Sequence, residues 1–268
     1  MFSFSLRELN SPARPLQPAP AYLLFRLIPV AYGVFLAGFM TSAAVRLADR
    51  PPTLEAGIMS DLLSRIDNPR GYLFSAMATV MCGVLLLPAA ALFQRGWSSP
   101  PGRWAILGAW LYRVGLIAAI AVGATTPLQR PYVALHIWLT FLAFMSLVAG
   151  LAVSLAVAAC SATAVRFPLA ALGALQMGAL FFLTYVFLGY LGVVDDCFEG
   201  RRWFLAVCEW GLSALIAAGT VAVAGALAQA SKLRRDSGET TQPDGAAIGS
   251  QPIRSETKPT SSAAGSGR

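Results

Sequence analysis

Apolar residues fill long, almost unbroken stretches of this chain, and polar residues collect at the joints between them. The first stretch covers residues 22–47, and five more follow at about 71–94, 104–126, 131–160, 168–190 and 203–230. Each exceeds the roughly 20 residues that a helix rising about 1.5 Å per residue needs to cross the hydrocarbon core of a bilayer. The pattern predicts an all-α integral membrane bundle of six transmembrane helices. Breakers and anchors mark the joints: Pro51-Pro52, Asn68-Pro69, Ser99-Pro100-Pro101-Gly102, Pro127 and Pro168, with Trp97, Trp104, Tyr132 and Trp203 near the predicted interfaces. The first stretch is longer than the roughly 7–15 apolar residues of a signal peptide and has no clean A-x-A site, so it reads as an uncleaved span.

Three regions follow from this reading. Residues 1–20, with Pro12, Pro15, Pro18 and Pro20 beside Arg7 and Arg14, form a flexible cytoplasmic arm. Residues 21–230 form the six-span domain. Residues 231–268 are Ser, Gly, Thr and Pro with scattered charges, too poor in large apolar groups to offset the entropy of ordering, and read as a disordered cytoplasmic tail.

Composition strengthens the membrane assignment and narrows the function. The chain of 268 residues is 56% apolar and only 12% charged, against roughly 25% charged in a soluble domain. Its net charge of +7 comes from Arg residues placed singly at segment ends, which suits topology and not nucleic-acid binding. One side collects Arg7, Arg14, Arg95, Arg103, Arg166, Lys232, Arg234 and Arg235, the other Arg50, Arg65, Arg70, Arg130, Arg201 and Arg202. The bias predicts a cell-membrane protein with both termini cytoplasmic. Membrane lipids are the expected partners. Ala170, Ala174 and Gly178, at four-residue spacing, would suit a homo-oligomer contact. The four cysteines show neither a disulfide framework nor a CxxC pair.

Ionisable residues inside the spans are the candidates for chemistry, because each is costly in hydrocarbon unless paired or facing a wet cavity. Counting along the helices places His136 about 8 Å, Glu209 about 10 Å and Arg113 about 20 Å below the outer boundary. An Arg113–Glu209 pair is expected, since one pair costs less than two lone charges, with Gln176 within reach of the same network. Ala206, Ser213, Ala217 and Thr220 share the face of Glu209 and permit close packing. Arg26 and Arg46, near the ends of the first span, are expected to snorkel to the headgroups. In the first outer loop Asp61 and Asn68 stand ready to cap turns or short helices. Asp61, Asp67, Asp195, Asp196 and Glu199 are all outer carboxylates, but no EF-hand spacing joins them, and solvated loop charge is the simpler reading. A histidine-based zinc hydrolase needs about three imidazoles, and His136 is the single histidine. There is no P-loop, GxSxG or HExxH, so no metal site and no cofactor is expected.

Ile58-Met59-Ser60-Asp61, Asn68-Pro69 and Phe74, a Gly- and Leu-rich second span, and His136 opening the fourth span together resemble the prokaryotic six-span family of unknown function numbered 998. With Glu209-Trp210 in the last span, the order is also distantly similar to the eukaryotic Frag/DRAM/Sfk membrane group, some members of which are associated with lipid remodelling or autophagy. The chain departs from the pattern by carrying Leu62 and Leu63 where a glycine is expected after Ser-Asp. The resemblance implies a six-span fold over residues 22–230 and one outward-facing site containing Asp61, Asn68, His136 and Glu209. Taken with Arg113, these residues form a candidate polar pocket for a lipid headgroup. The alternative is a small proton-coupled transporter in which Glu209 or His136 titrates. An intramembrane lipid enzyme using His136 with Asp61 ranks third, because no nucleophile accompanies them.

Overall fold

The computed structural model describes residues 18–49, 59–96, 102–128, 133–161, 165–194 and 202–236, and all are helices or the turns beside them. The helices are α1 (Pro18–Asp49), α2 (Met59–Leu63), α3 (Tyr72–Arg95), α4 (Arg103–Thr125), α5 (Val133–Ser161), α6 (Arg166–Tyr190) and α7 (Arg202–Asp236). Six of them, all but α2, are long and apolar enough to cross a membrane. The protein is therefore an all-α, multipass membrane protein, and each expected span coincides with one helix.

Both ends of the bundle reach further than the apolar pattern does. Helix α1 begins at Pro18, and α7 continues to Asp236, six residues into the stretch 231–268 that was expected to be disordered. Residues 231–236, Ser-Lys-Leu-Arg-Arg-Asp, contain good helix formers, and basic residues suit the negative end of a helix dipole. Residues 1–17 and 237–268, which hold the remainder of the two expected arms, lie outside the described residues. Helix α6 stops in a Schellman turn: Gly192 adopts φ +71°, its N–H donates to Gly189 O, and Val193 N–H donates to Leu188 O.

Helices α1, α3, α4, α5 and α7 form a ring in which α1 packs on α3, α3 on α4, α4 on α5, α5 on α7 and α7 back on α1. Helix α6 lies outside, against α5 and α7. It buries only Leu169, Gln176 and Leu183, at seven-residue spacing, and presents Phe167, Leu175 and Phe181 outward. Helices α4 and α5 approach closely. A Cβ on Gly150 would lie 2.5 Å from the Tyr112 backbone nitrogen and 2.9 Å from Gly108 O, and one on Gly115 would lie 2.7 Å from the Leu147 nitrogen. In lipid, where the hydrophobic effect does not drive helices together, such small-residue contacts hold a bundle by dispersion.

Gly150→Ala must push these backbones apart and is expected to cost about 1–3 kcal/mol of stability. Gly178→Ala, on the open side of α6 with nothing within 4 Å, is expected to leave it unchanged or slightly higher. Thermal unfolding of the two variants in the same detergent checks the difference.

Candidate functional site

The ring encloses a cavity of about 420 Å³. Every helix except α6 contributes to the described lining. From α4 come Tyr112, Leu116, Ala119 and Val122, spaced so that one helical face looks inward. The short α2 covers one end: Met59, Leu62 and Leu63 are buried there, and Met59 and Leu63 line the cavity.

Polar groups stand at two levels. At the α2 end are Glu209, His136, Thr140 and Ser213. Glu209 Oε2 accepts the backbone N–H of Met59 at 2.7 Å, joining the last span to the first turn of α2. The Ser213 hydroxyl donates to the Met59 sulfur at 3.6 Å. His136 is 6% exposed, and its Nδ1 has no hydrogen-bond partner among the described residues. Eleven residues further along α7, about 16 Å at helical rise, Thr220 gathers two phenols. Its hydroxyl donates to Ile216 O at 2.9 Å and lies 3.0 Å from Tyr32 Oη and 3.1 Å from Tyr112 Oη. With its single proton on the Ile216 carbonyl, Thr220 accepts from both phenols. Between these levels the wall is almost wholly apolar, from side chains such as Leu86, Leu147 and Ile216.

The cavity also reaches the flank of the bundle. Leu36 on α1 is 48% exposed although it lines the cavity, while Phe39 and Leu116 in the same wall are 1% and 3% exposed. Ala214 on α7, the neighbour of α1, is likewise exposed and lining. Lining residues on α1 and α7 thus also reach the outer surface of the bundle.

The five residues singled out by sequence separate into three places. Glu209 and His136 share the cavity, together with Ser213 and Ala217 on the face expected for Glu209. Asp61 and Asn68 stand beside the cavity without lining it. Asp61 pairs with Arg46 at 3.4 Å, so Arg46 holds the first loop where a headgroup contact was expected. Asn68, 1% exposed, clamps that loop to two spans. Its amide donates to Ser42 Oγ at 2.8 Å and Ser42 O at 3.2 Å, and its Oδ1 accepts Gly71 N–H at 3.1 Å in the turn leading into α3. Ser75 Oγ, on α3, donates to Leu62 O at 2.7 Å.

Arg113 lies apart from the other four. Ion pairs between described side chains are Arg46–Asp61 and Arg70–Asp49, and the expected Arg113–Glu209 pair is not formed. One residue on from Tyr112 is about 100° around the helix, which carries Arg113 off the face that lines the cavity. Gln176, expected near that pair, donates to Leu215 O at 2.8 Å between α6 and α7, outside the cavity. Asp195, Asp196 and Glu199 lie outside the described residues. Tyr32, Tyr112 and Trp210 escaped the reading of the sequence as cavity residues. Phenols deep within apolar spans were the available signal, since each must find a polar partner there.

Two outcomes follow for the polar clusters. Thr220→Val removes the acceptor that both phenols share and is expected to cost about 1–3 kcal/mol; adding Tyr32→Phe and Tyr112→Phe should recover most of the loss, as thermal unfolding of the single and triple variants will register. Asn68→Leu is expected to lower stability by a similar about 1–3 kcal/mol and to open the 59–71 segment to added protease. Compared with known proteins, this chain matches no family model, no curated protein and no solved structure.

Proposed function

We propose that this is a cell-membrane protein, with both termini cytoplasmic, that binds a membrane lipid or another amphiphile inside its bundle. The alkyl part lies in the apolar cavity, and the head group sits at the α2 end beside Glu209 and His136. The cavity carries the argument. Left empty, 420 Å³ of apolar space at about 24 cal/mol per Å³ would cost about 10 kcal/mol, comparable with the whole stability of a typical domain at about 5–15 kcal/mol. Water does not suit the middle of it, because an ordered water needs two to four polar partners, and beyond the two levels the described lining adds the Cys82 thiol and the Thr79 hydroxyl, which already donates to Ser75 O at 2.8 Å. The volume falls within the roughly 300–1,000 Å³ of small-molecule sites. The exposure of the lining residues Leu36 and Ala214 at the bundle surface supports an occupant drawn from the hydrocarbon.

This reading retains the likeness to the six-span family numbered 998 as part of the proposal, and it adds a lipid-sized site to a fold for which that family assigns no reaction.

Mass spectrometry of lipids that co-purify in mild detergent tests it. Ala217→Phe, which fills the cavity from α7, is expected to lose a lipid that the wild type retains. Val221→Phe, exposed on the same helix and not in the lining, should keep it. Equal lipid in all three proteins would overturn the reading.

A further inference from the structure

Arg113 stands in a membrane span with no hydrogen bond, ion pair or ring contact to its side chain among the described residues. Ten residues of α4 precede it from Arg103 and twelve follow to Thr125, about 15 Å and 18 Å at helical rise. It therefore lies near the middle of a hydrocarbon core roughly 30 Å thick. An arginine side chain reaches less than half of either distance, so snorkelling leaves the guanidinium short of the head groups. Charges at this depth pair with one another or face a wet cavity, and Arg113 is outside the cavity lining. It is half-buried on the outer side of α4, where Ile106, Trp110 and Ile117 are exposed at four- and three-residue steps along one stripe. Ala124, seven residues beyond Ile117, carries that stripe into a groove of about 240 Å³, which Met77 and Met81 of α3 line from the other side.

We infer that this α3–α4 surface docks a transmembrane helix of another protein, and that an aspartate or glutamate near the middle of that helix pairs with Arg113. Charge complementarity selects the partner. A carboxylate matches a guanidinium both in charge and in the geometry of its paired acceptors, and two charges in hydrocarbon cost less together than apart. A second copy of this chain has no such group to offer. Within the six spans the acidic residues are Asp49, at the end of the first and paired with Arg70, and Glu209, inside the bundle on Met59 N–H. A lipid phosphate stands at the membrane boundary and meets Arg113 only where the bilayer thins. The groove beside Ala124 receives side chains of the partner while its backbone comes close. The surface lies outside the ring and is independent of what the cavity holds.

Three single-span model peptides test the pairing. They share one Leu-Ala core and carry Glu, Gln or Leu at the central position. Each is titrated against the labelled protein in phosphatidylcholine vesicles at mildly alkaline pH, and association is read by energy transfer. The Glu peptide is expected to associate at least about tenfold more tightly than the other two. Arg113→Leu should lose that preference and Arg113→Lys should keep part of it. Equal association of all three peptides with the wild type, or a Glu preference that survives Arg113→Leu, would overturn the inference. Thermal unfolding in nanodiscs separates a lipid from a protein partner. Arg113→Leu is expected to unfold at the wild-type temperature or higher in phosphatidylcholine and phosphatidylglycerol alike. A stabilisation of the wild type by phosphatidylglycerol that Arg113→Leu removes would assign the guanidinium to a phosphate and overturn the protein partner. Should Arg113→Leu fail to fold, Arg113→Gln, which stays polar without the charge, takes its place in both measurements.

Discussion

A polar group that enters hydrocarbon must find its partner inside the protein, and the polar contacts between the helices of this bundle answer that demand. The two phenols converge on one threonine, whose own proton goes to the carbonyl one turn back. Asn68 satisfies Ser42 on α1 and the turn that starts α3, while Leu62 O collects the Ser75 hydroxyl. Glu209 takes an N–H at the start of α2, which a five-residue helix has no means of satisfying internally. These contacts place α2 where it is. Its own sequence is too short to hold a helix without them.

The second constraint is volume. Glycines let α4 and α5 bring their backbones together, and the face of α4 that carries Tyr112 is left to look into the ring. Five helices arranged in this way do not close on the axis, and medium-sized side chains fill only part of what remains. Helix α6 cannot fill the space because it stands outside the ring. The cavity is thus a result of which helices touch. Its chemistry follows from what each inward face happens to carry: leucines in the middle, a carboxylate and an imidazole near α2, and phenols at the other level.

Leu62 and Leu63 illustrate how a departure from an expected motif acquires a physical reason. The two leucines are buried at 1% and 7% exposure, and they pack with Phe39, Ala76 and Val122 beneath the loop. They anchor the short helix that covers the cavity. The same loop spends Asp61 on Arg46. The residues that made the first loop look like a binding site build its cover, and the cavity beneath takes its one formal charge among the described lining residues from the last span.

Length and apolarity are local properties, so the sequence alone determined the number and approximate placement of the membrane-crossing helices, the all-α class, and the fact that Glu209 and His136 needed an explanation. A short helix in the first loop was anticipated, but the place of α2 over the cavity was not legible, because its hydrogen bonds and its buried leucines depend on residues more than a dozen positions away in α1, α3 and α7. Nor was the partner of Glu209. Whether an arginine three helices earlier can meet it depends on how each helix is rotated about its axis, and a difference of one residue, Tyr112 against Arg113, turns the side chain by about 100°. The apolar pattern of a span buried on every side carries little record of that rotation, since lipid and protein interior both accept the same side chains. Only the packing of the helices decided which groups share the cavity.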